Sequence, residues 1–174
     1  MPKQLKIFPE KCIGCKSCEL ACSLVNEKEM NPAKSRITMV FFHEGTYPLP
    51  HSLPLTCRQC ADAPCLGSCP VDAIRRVKDF SKTVVIDYEA CIKCGRCVTA
   101  CPFGAMCFDG KKRIPYKCEL CGGDPACVSL CPTGAIAFVP RKPYYAKAEA
   151  LQMKGYALLS KHANDNLKSP KAEE

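Results

Sequence analysis

The chain has 174 residues, seventeen cysteines, no tryptophan and 47% hydrophobic residues, so it has the length of one ordinary domain but a core in which sulfur stands in for much of the carbon. An odd cysteine count fits disulfide pairing poorly. The amino terminus MPKQLKIFPEKC has neither an apolar leader core nor a twin arginine, and no apolar run is long enough to span a bilayer, so no direct membrane span and a cytoplasmic location are expected, with export bound to a partner that carries the signal as the alternative. The formal charge of +8 invites a nucleic-acid reading, but that count treats every thiol as neutral.

In chain order, the first motif is Cys12-Ile-Gly-Cys15-Lys-Ser-Cys18-Glu-Leu-Ala-Cys22, followed by Asn31-Pro-Ala-Lys-Ser-Arg36 and a β-rich run, Ile37-Thr-Met-Val-Phe-Phe42. The second motif is Cys57-Arg-Gln-Cys60, Cys65 and Cys69-Pro70, with the tail Val71-Asp-Ala-Ile74 and a predicted strand over 83–87. The third is Cys91-Ile-Lys-Cys94-Gly-Arg-Cys97-Val-Thr-Ala-Cys101-Pro102. Its tail Phe103-Gly-Ala-Met106 leads into a strand-like stretch that holds Cys107. The fourth is Cys118-Glu-Leu-Cys121, Cys127 and Cys131-Pro132, with the tail Thr133-Gly-Ala-Ile136 running into Phe138 and Val139. Beyond Pro143, apolar residues Tyr144, Ala148, Leu151 and Leu158 recur at helical spacing; this predicts a terminal helix, with residues 168–174 frayed.

All four motifs share a first gap of two residues and a last gap of three, while the middle gap is two, four, two and five. Three closely spaced cysteines wrap a loop around a cubane and point its amides inward. The fourth is expected at the start of a short helical turn, ligating a neighbouring cluster, with proline stopping the turn from running on. Zinc ribbons pair two dyads and do not need this third cysteine or the Cys-Pro ending. Four [4Fe–4S] clusters with their thiolates bring roughly −8 of charge, which offsets the +8 and removes the case for nucleic acid. No glycine-rich strand–loop–helix appears for a flavin or nicotinamide. His43, His51 and His162 are scattered, so no catalytic site is expected.

Because fourth cysteines cross over, the motifs must work in pairs. Motifs two and three, residues 57–108, resemble an ordinary two-cluster bacterial ferredoxin, which groups Cys57, Cys60, Cys65 with Cys101 and Cys91, Cys94, Cys97 with Cys69. Motifs one and four then group Cys12, Cys15, Cys18 with Cys131 and Cys118, Cys121, Cys127 with Cys22. Sequential pairing, one with two and three with four, is the alternative. Nesting is preferred because residues 102–117 look short for two strands and a turn. Cys107 is read as a small buried hydrophobe and not a ligand. Lys16, Arg58, Lys93, Arg96 and Lys117, in or beside the motifs, are read first as solvated charges, with raising a cluster's potential or guiding docking as the alternatives.

Over residues 5–140 the four motifs, with Cys57-Arg-Gln-Cys60 and residues 31–36, resemble the four-cluster iron–sulfur subunits of molybdenum and tungsten oxidoreductases, hydrogenases and carbon monoxide dehydrogenase. The resemblance implies an α+β fold of two nested bacterial-ferredoxin-like modules. The inner module is 57–108, the outer is 1–56 with 109–140, and 141–174 forms a C-terminal helix and tail. It also implies a non-catalytic electron-transfer subunit between a catalytic metalloenzyme subunit and a further redox subunit or carrier. A tungsten aldehyde oxidoreductase is the first expectation. Partnership with carbon monoxide dehydrogenase, hydrogenase or formate dehydrogenase, or a free-standing soluble polyferredoxin, is the alternative. The tail helix is read as packing on the chain's own clusters, clamping a partner or mediating self-association.

Overall fold

The computed structural model describes residues 2–41, 52–78 and 82–141. In order, these form β1 (Lys3–Ile7), α1 (Ser17–Glu27), β2 (Thr38–Phe41), β3 (Ser52–Leu55), α2 (Pro64–Gly67), β4 (Ile74–Arg76), β5 (Val84–Ile86), α3 (Arg96–Ala100), β6 (Cys107–Asp109), β7 (Ile114–Tyr116), α4 (Ala126–Ser129) and β8 (Ile136–Pro140). The expected terminal helix, His43, His51 and His162 lie outside the described residues.

The class is α+β, with every described strand in an antiparallel pair. Three pairs are hairpins between successive motifs: β2–β3, β4–β5 and β6–β7. The fourth joins the two ends of the described chain, setting Leu5 opposite Phe138 and Ile7 opposite Ile136. Helix α1, from the first motif, packs on α4 from the fourth, and α2 packs on α3.

A lone two-stranded ribbon is marginal in water and needs an apolar face to pack against. Here that face is partly sulfur. One core gathers Leu5, Ile7, Ile37, Leu53, Phe103 and Ile136 around Cys18, Cys22, Cys118 and Cys127, and a second gathers Ile74, Val84, Ile86 and Met106 around Cys97.

Two expectations are corrected. Residues 102–117 do hold two strands and a turn, because β6 and β7 are only three residues each. The Asp109 carboxylate closes the turn by accepting from the amides of Lys111 (2.8 Å) and Lys112 (2.9 Å). The length argument against sequential pairing therefore fails.

The second is the fourth cysteine, which opens a single hydrogen-bonded turn and not a helix: the Cys101 and Cys131 carbonyls accept from the Gly104 and Gly134 amides, each at 3.3 Å. In motifs two to four it follows the helix, since α2, α3 and α4 end before Cys69, Cys101 and Cys131. The proline after each disfavours helical backbone at the cysteine, and Cys101 is extended (φ −77°, ψ 110°). The first motif has Ser23 in that place, and α1 runs through Cys22 to Glu27.

Strands β1, β3 and β7 each precede a cluster loop, as a repeat of strand, cluster loop, short helix and strand expects, but no local β-rich run marks them. Pro54 and Pro115 interrupt the β signal of the last two, as proline is tolerated only at positions that donate no ladder bond.

Candidate metal centres

The cluster loops share a backbone rule that spacing alone does not reveal. The third residue of every Cys-x-x-Cys is left-handed: Gly14 (φ 70°), Gln59 (49°), Lys93 (61°) and Leu120 (61°). Left-handed residues between ordinary ones turn successive amides to one side, forming an anion-binding concavity used at iron–sulfur sites. Only Gly14 adopts this φ without steric cost; the other three hold it against their Cβ.

The third cysteine of every motif (Cys18, Cys65, Cys97, Cys127) is then the second residue of its helix. The shared tails obey a second rule. Asp72 (φ 51°), Gly104 (62°) and Gly134 (65°) are all left-handed, and they are followed by the buried pairs Ala73–Ile74, Ala105–Met106 and Ala135–Ile136.

These turns gather thiols around three cavities. Cys57, Cys60, Cys65 and Cys101 line one, together with Lys117. Cys22, Cys118, Cys121 and Cys127 line another, beside Arg36. Cys69, Cys91, Cys94 and Cys97 line the third, with Val71 and Ile92. In the first loop Cys12 and Cys15 act electrostatically on Cys18, and Cys131 follows α4, which packs on α1. Cys15 and Cys94, at matching places in motifs one and three, are exposed; the other cysteines are buried or half-buried.

Burial dominates the thiol chemistry. It pushes Cys18 up to about 12, helped by the Glu19 carboxylate, and it pushes Cys57, Cys60 and Cys97 up to about 11. Cys65, Cys118, Cys121 and Cys127 rise for the same reason. Cys131 goes the other way. Burial opposes its ionisation, but the Ile136, Thr133 and Ala135 amides and the Thr133 hydroxyl outweigh it, and its pKa falls below the ordinary thiol value. Direct donors to sulfur include the amides of Arg36 to Cys22 (3.3 Å) and Lys93 to Cys91 (3.4 Å), the Asn26 side-chain amide to Cys22 (3.5 Å) and the Ser52 hydroxyl to Cys12 (3.3 Å).

This donor set fits iron–sulfur clusters. Among the described residues no three of His, Cys, Asp and Glu close on one ion-sized point. The thiols instead surround cavities, as a multi-iron cluster requires and a single tetrahedral ion with bonds of about 2.3 Å does not. The buried Thr56 hydroxyl favours ionised Cys118 by hydrogen bonding to its sulfur. Cys107 sits opposite Tyr116 across the β6–β7 hairpin, with its thiol raised to about 11 by burial, and it lines none of these three cavities.

Lys117 corrects the reading of solvated charges. It is 1% exposed. Its ammonium donates to the carbonyl oxygens of Val84 and Cys118. Lys16, Lys93 and Arg96 are exposed. Nothing in the residues around Lys117 marks it for burial, because the Val84 carbonyl that holds it lies on a distant strand.

The chain resembles known proteins along most of this length. A family profile described as a 4Fe-4S dicluster domain matches residues 51–141, and one described as a 4Fe-4S binding domain matches residues 5–23. The polyferredoxin-like subunit of the aliphatic sulfonate oxidoreductase of Pyrococcus furiosus is 41% identical over 119 residues, covering 68% of this chain and 65% of the relative. The formate dehydrogenase iron–sulfur subunit of Wolinella succinogenes is 37% identical over 120 residues, covering 66% of this chain and 58% of the relative. The chain thus spans less than two thirds of either relative. Among solved structures, the active-site complex BamBC of benzoyl coenzyme A reductase with benzoyl-CoA aligns at a TM-score of 0.46 and 23% identity, over 96% of this chain and 97% of that one.

Proposed function

This chain belongs to the 4Fe-4S dicluster-domain family, and from that membership we propose that it is a cytoplasmic electron-transfer subunit of an oxidoreductase complex, holding four [4Fe–4S] clusters. Their ligands in this reading are Cys12, Cys15, Cys18 and Cys131; Cys118, Cys121, Cys127 and Cys22; Cys57, Cys60, Cys65 and Cys101; and Cys91, Cys94, Cys97 and Cys69. One observation carries the reading: each of the three cavities is lined by three cysteines of one motif and the fourth cysteine of another. The pairing of β1 with β8 and of α1 with α4 supports the same nesting for the outer set.

Bound clusters supply one-electron exchange at iron. The chain supplies thiolates, inward amides and apolar walls that exclude water. The quartets succeed one another through the fold. Helix α1 carries Cys18 of the first and Cys22 of the second, and α3 carries Cys97 shortly before Cys101. The series ends at the two exposed cysteines, Cys15 beside Ile13 (67% exposed) and Cys94 beside Ile92 (59% exposed). A partner docked at either end meets a cysteine directly.

The catalytic partner in this reading is a metalloenzyme subunit. A tungsten aldehyde oxidoreductase is the first candidate, alongside a sulfonate oxidoreductase of the kind named for the Pyrococcus relative. Anaerobic purification from the native host tests both parts. The expected result is about sixteen irons per chain, four per cluster, and a copurifying catalytic subunit. Zinc in place of iron overturns the cluster assignment, and a chain that purifies alone at full iron content overturns the subunit assignment.

A further inference from the structure

Lys117 is a buried cation without a carboxylate partner among the described residues. It is 1% exposed, and its ammonium donates to the carbonyls of Val84 in β5 and Cys118 in the fourth motif. Glu119, the nearest acid in sequence, faces Arg36 instead, at 3.8 Å. Two carbonyl oxygens satisfy donors but do not neutralise a charge, and an uncompensated buried charge is costly. The group that Lys117 does face is the cavity of Cys57, Cys60, Cys65 and Cys101, which its side chain helps to line. Its charge is the leading influence favouring ionised Cys57 and Cys65 and only a minor one on Cys118 of the neighbouring quartet.

Gln59 separates charge from scaffolding at this site. It is 3% exposed and bridges the same two segments, accepting from the Val84 amide and donating to the Cys118 carbonyl, both at 2.8 Å. The join between β5 and the fourth motif is therefore already held by a neutral side chain. A lysine is not needed there for hydrogen bonding alone.

We propose that Lys117 is the built-in counter-ion of the quartet Cys57, Cys60, Cys65 and Cys101, and that it makes this interior station the first in the chain to be reduced. The proposal rests on the four-cluster reading above. A fixed cation stabilises the extra negative charge of the reduced state, and no other quartet has an unpaired equivalent: Lys16 and Lys93 are in water, where the same charge is screened, and Arg36 beside the fourth-motif quartet is paired with Glu119 at 3.8 Å. Lys117 is a positioning residue acting on potential, and its partner Gln59 is structural.

The test is an EPR-monitored redox titration of the anaerobically purified full chain with Lys117→Met, Lys117→Gln and Lys117→Arg. At unchanged iron content, the neutral variants are expected to lower one midpoint so that its reduced-to-oxidised ratio at fixed poise falls at least tenfold, or 59 mV for one electron. The other midpoints move less, and Lys117→Arg restores the wild-type value. Lys112→Met, which removes an exposed lysine outside the cluster loops, is expected to leave that midpoint in place. Unmoved midpoints in both neutral variants, or an equal shift in Lys112→Met, overturn the proposal. A measurement without any Lys117 variant guards against loss of folding: Cys60→Ser marks the signal of this quartet, which must be the first to appear on reduction of the wild type. If another signal appears first, the proposal fails while the four-cluster reading stands. Zinc in the purified wild type removes both.

Discussion

The first and third motifs have the same cysteine spacing, yet they build different structures. Both loops place two residues in the left-handed region at the same positions, Gly14 and Lys16 in one, Lys93 and Gly95 in the other. Glycine and lysine have exchanged places between the copies, so the backbone path follows from where the cysteines sit and not from which residue is glycine. The copies part after the last cysteine. Ser23 lets α1 continue to Glu27, whereas Pro102 ends α3 at Ala100. The longer helix is used at once. The Glu19 carboxylate accepts from the Met39 amide (2.7 Å), and Glu27 pairs with Lys112 (2.9 Å), tying the first motif to two hairpins. Local spacing sets the metal loop, and a single residue beyond it sets how far that loop reaches.

The comparison breaks most completely at the crossing cysteines. Cys22→Ala and Cys101→Ala are each expected to remove about four irons per chain, measured as protein-bound iron. The lost EPR signal should be the one also lost in Cys121→Ala and in Cys60→Ala, respectively; loss matched instead to Cys15→Ala and Cys94→Ala would mean that the loops keep their own fourth ligands.

Acid is the next largest perturbation. Thiols such as Cys18 and Cys97, raised to about 12 and 11, hold protons at neutral pH when iron is absent and release them on ligation. Lowering the pH therefore favours the iron-free form, by up to about tenfold per thiol per pH unit. Iron release to a chelator should accelerate steadily as pH falls, and a pH-independent rate would contradict it.

Ser23→Pro should cost about 3 kcal/mol by placing a ring inside α1. The side chain is also 0% exposed, donating to the Leu20 carbonyl (3.0 Å) and accepting from the Asn31 amide (3.1 Å). The reverse change, Pro102→Ser, acts chiefly through unfolded-chain entropy and should cost about 1 kcal/mol or less. Denaturation midpoints of the two holoproteins separate these values.

The glycine pair sharpens the comparison at the smallest scale. A Cβ on Gly14 meets Phe41 Cε1 at 2.8 Å and Ser52 Oγ at 3.3 Å, while one on Gly95 meets only Phe108 Cε2 at 3.9 Å. Gly14→Ala is expected to cost about 2 kcal/mol and Gly95→Ala about 1 kcal/mol, the latter being the left-handed penalty alone. Equal losses in thermal melts would place the cost entirely in the backbone.

Much of the site was legible because its rules are short-range. The gaps between cysteines name the chemistry, and the tails Val71-Asp-Ala-Ile74, Phe103-Gly-Ala-Met106 and Thr133-Gly-Ala-Ile136 announce a recurring turn, now seen as one left-handed residue before two buried ones. Less was legible where a residue answers to something distant. Leu120 gives no local sign of being left-handed and 0% exposed. Strands β3 and β7 contain prolines and are recognisable only from the partners they lie against.

By itself the sequence determined the ligand type, the loop spacing and the helix stop before Cys69, Cys101 and Cys131, since each depends on bonds within a few residues. Tertiary structure alone decided which strands close on each other, which cysteines gather around one cavity, and that Lys117 leaves water while Lys16 and Lys93 do not. The physical reason is the same in each case. Desolvation and charge pairing are properties of the space a side chain enters, and Lys117 enters a space built by Val84, more than thirty residues before it in the chain.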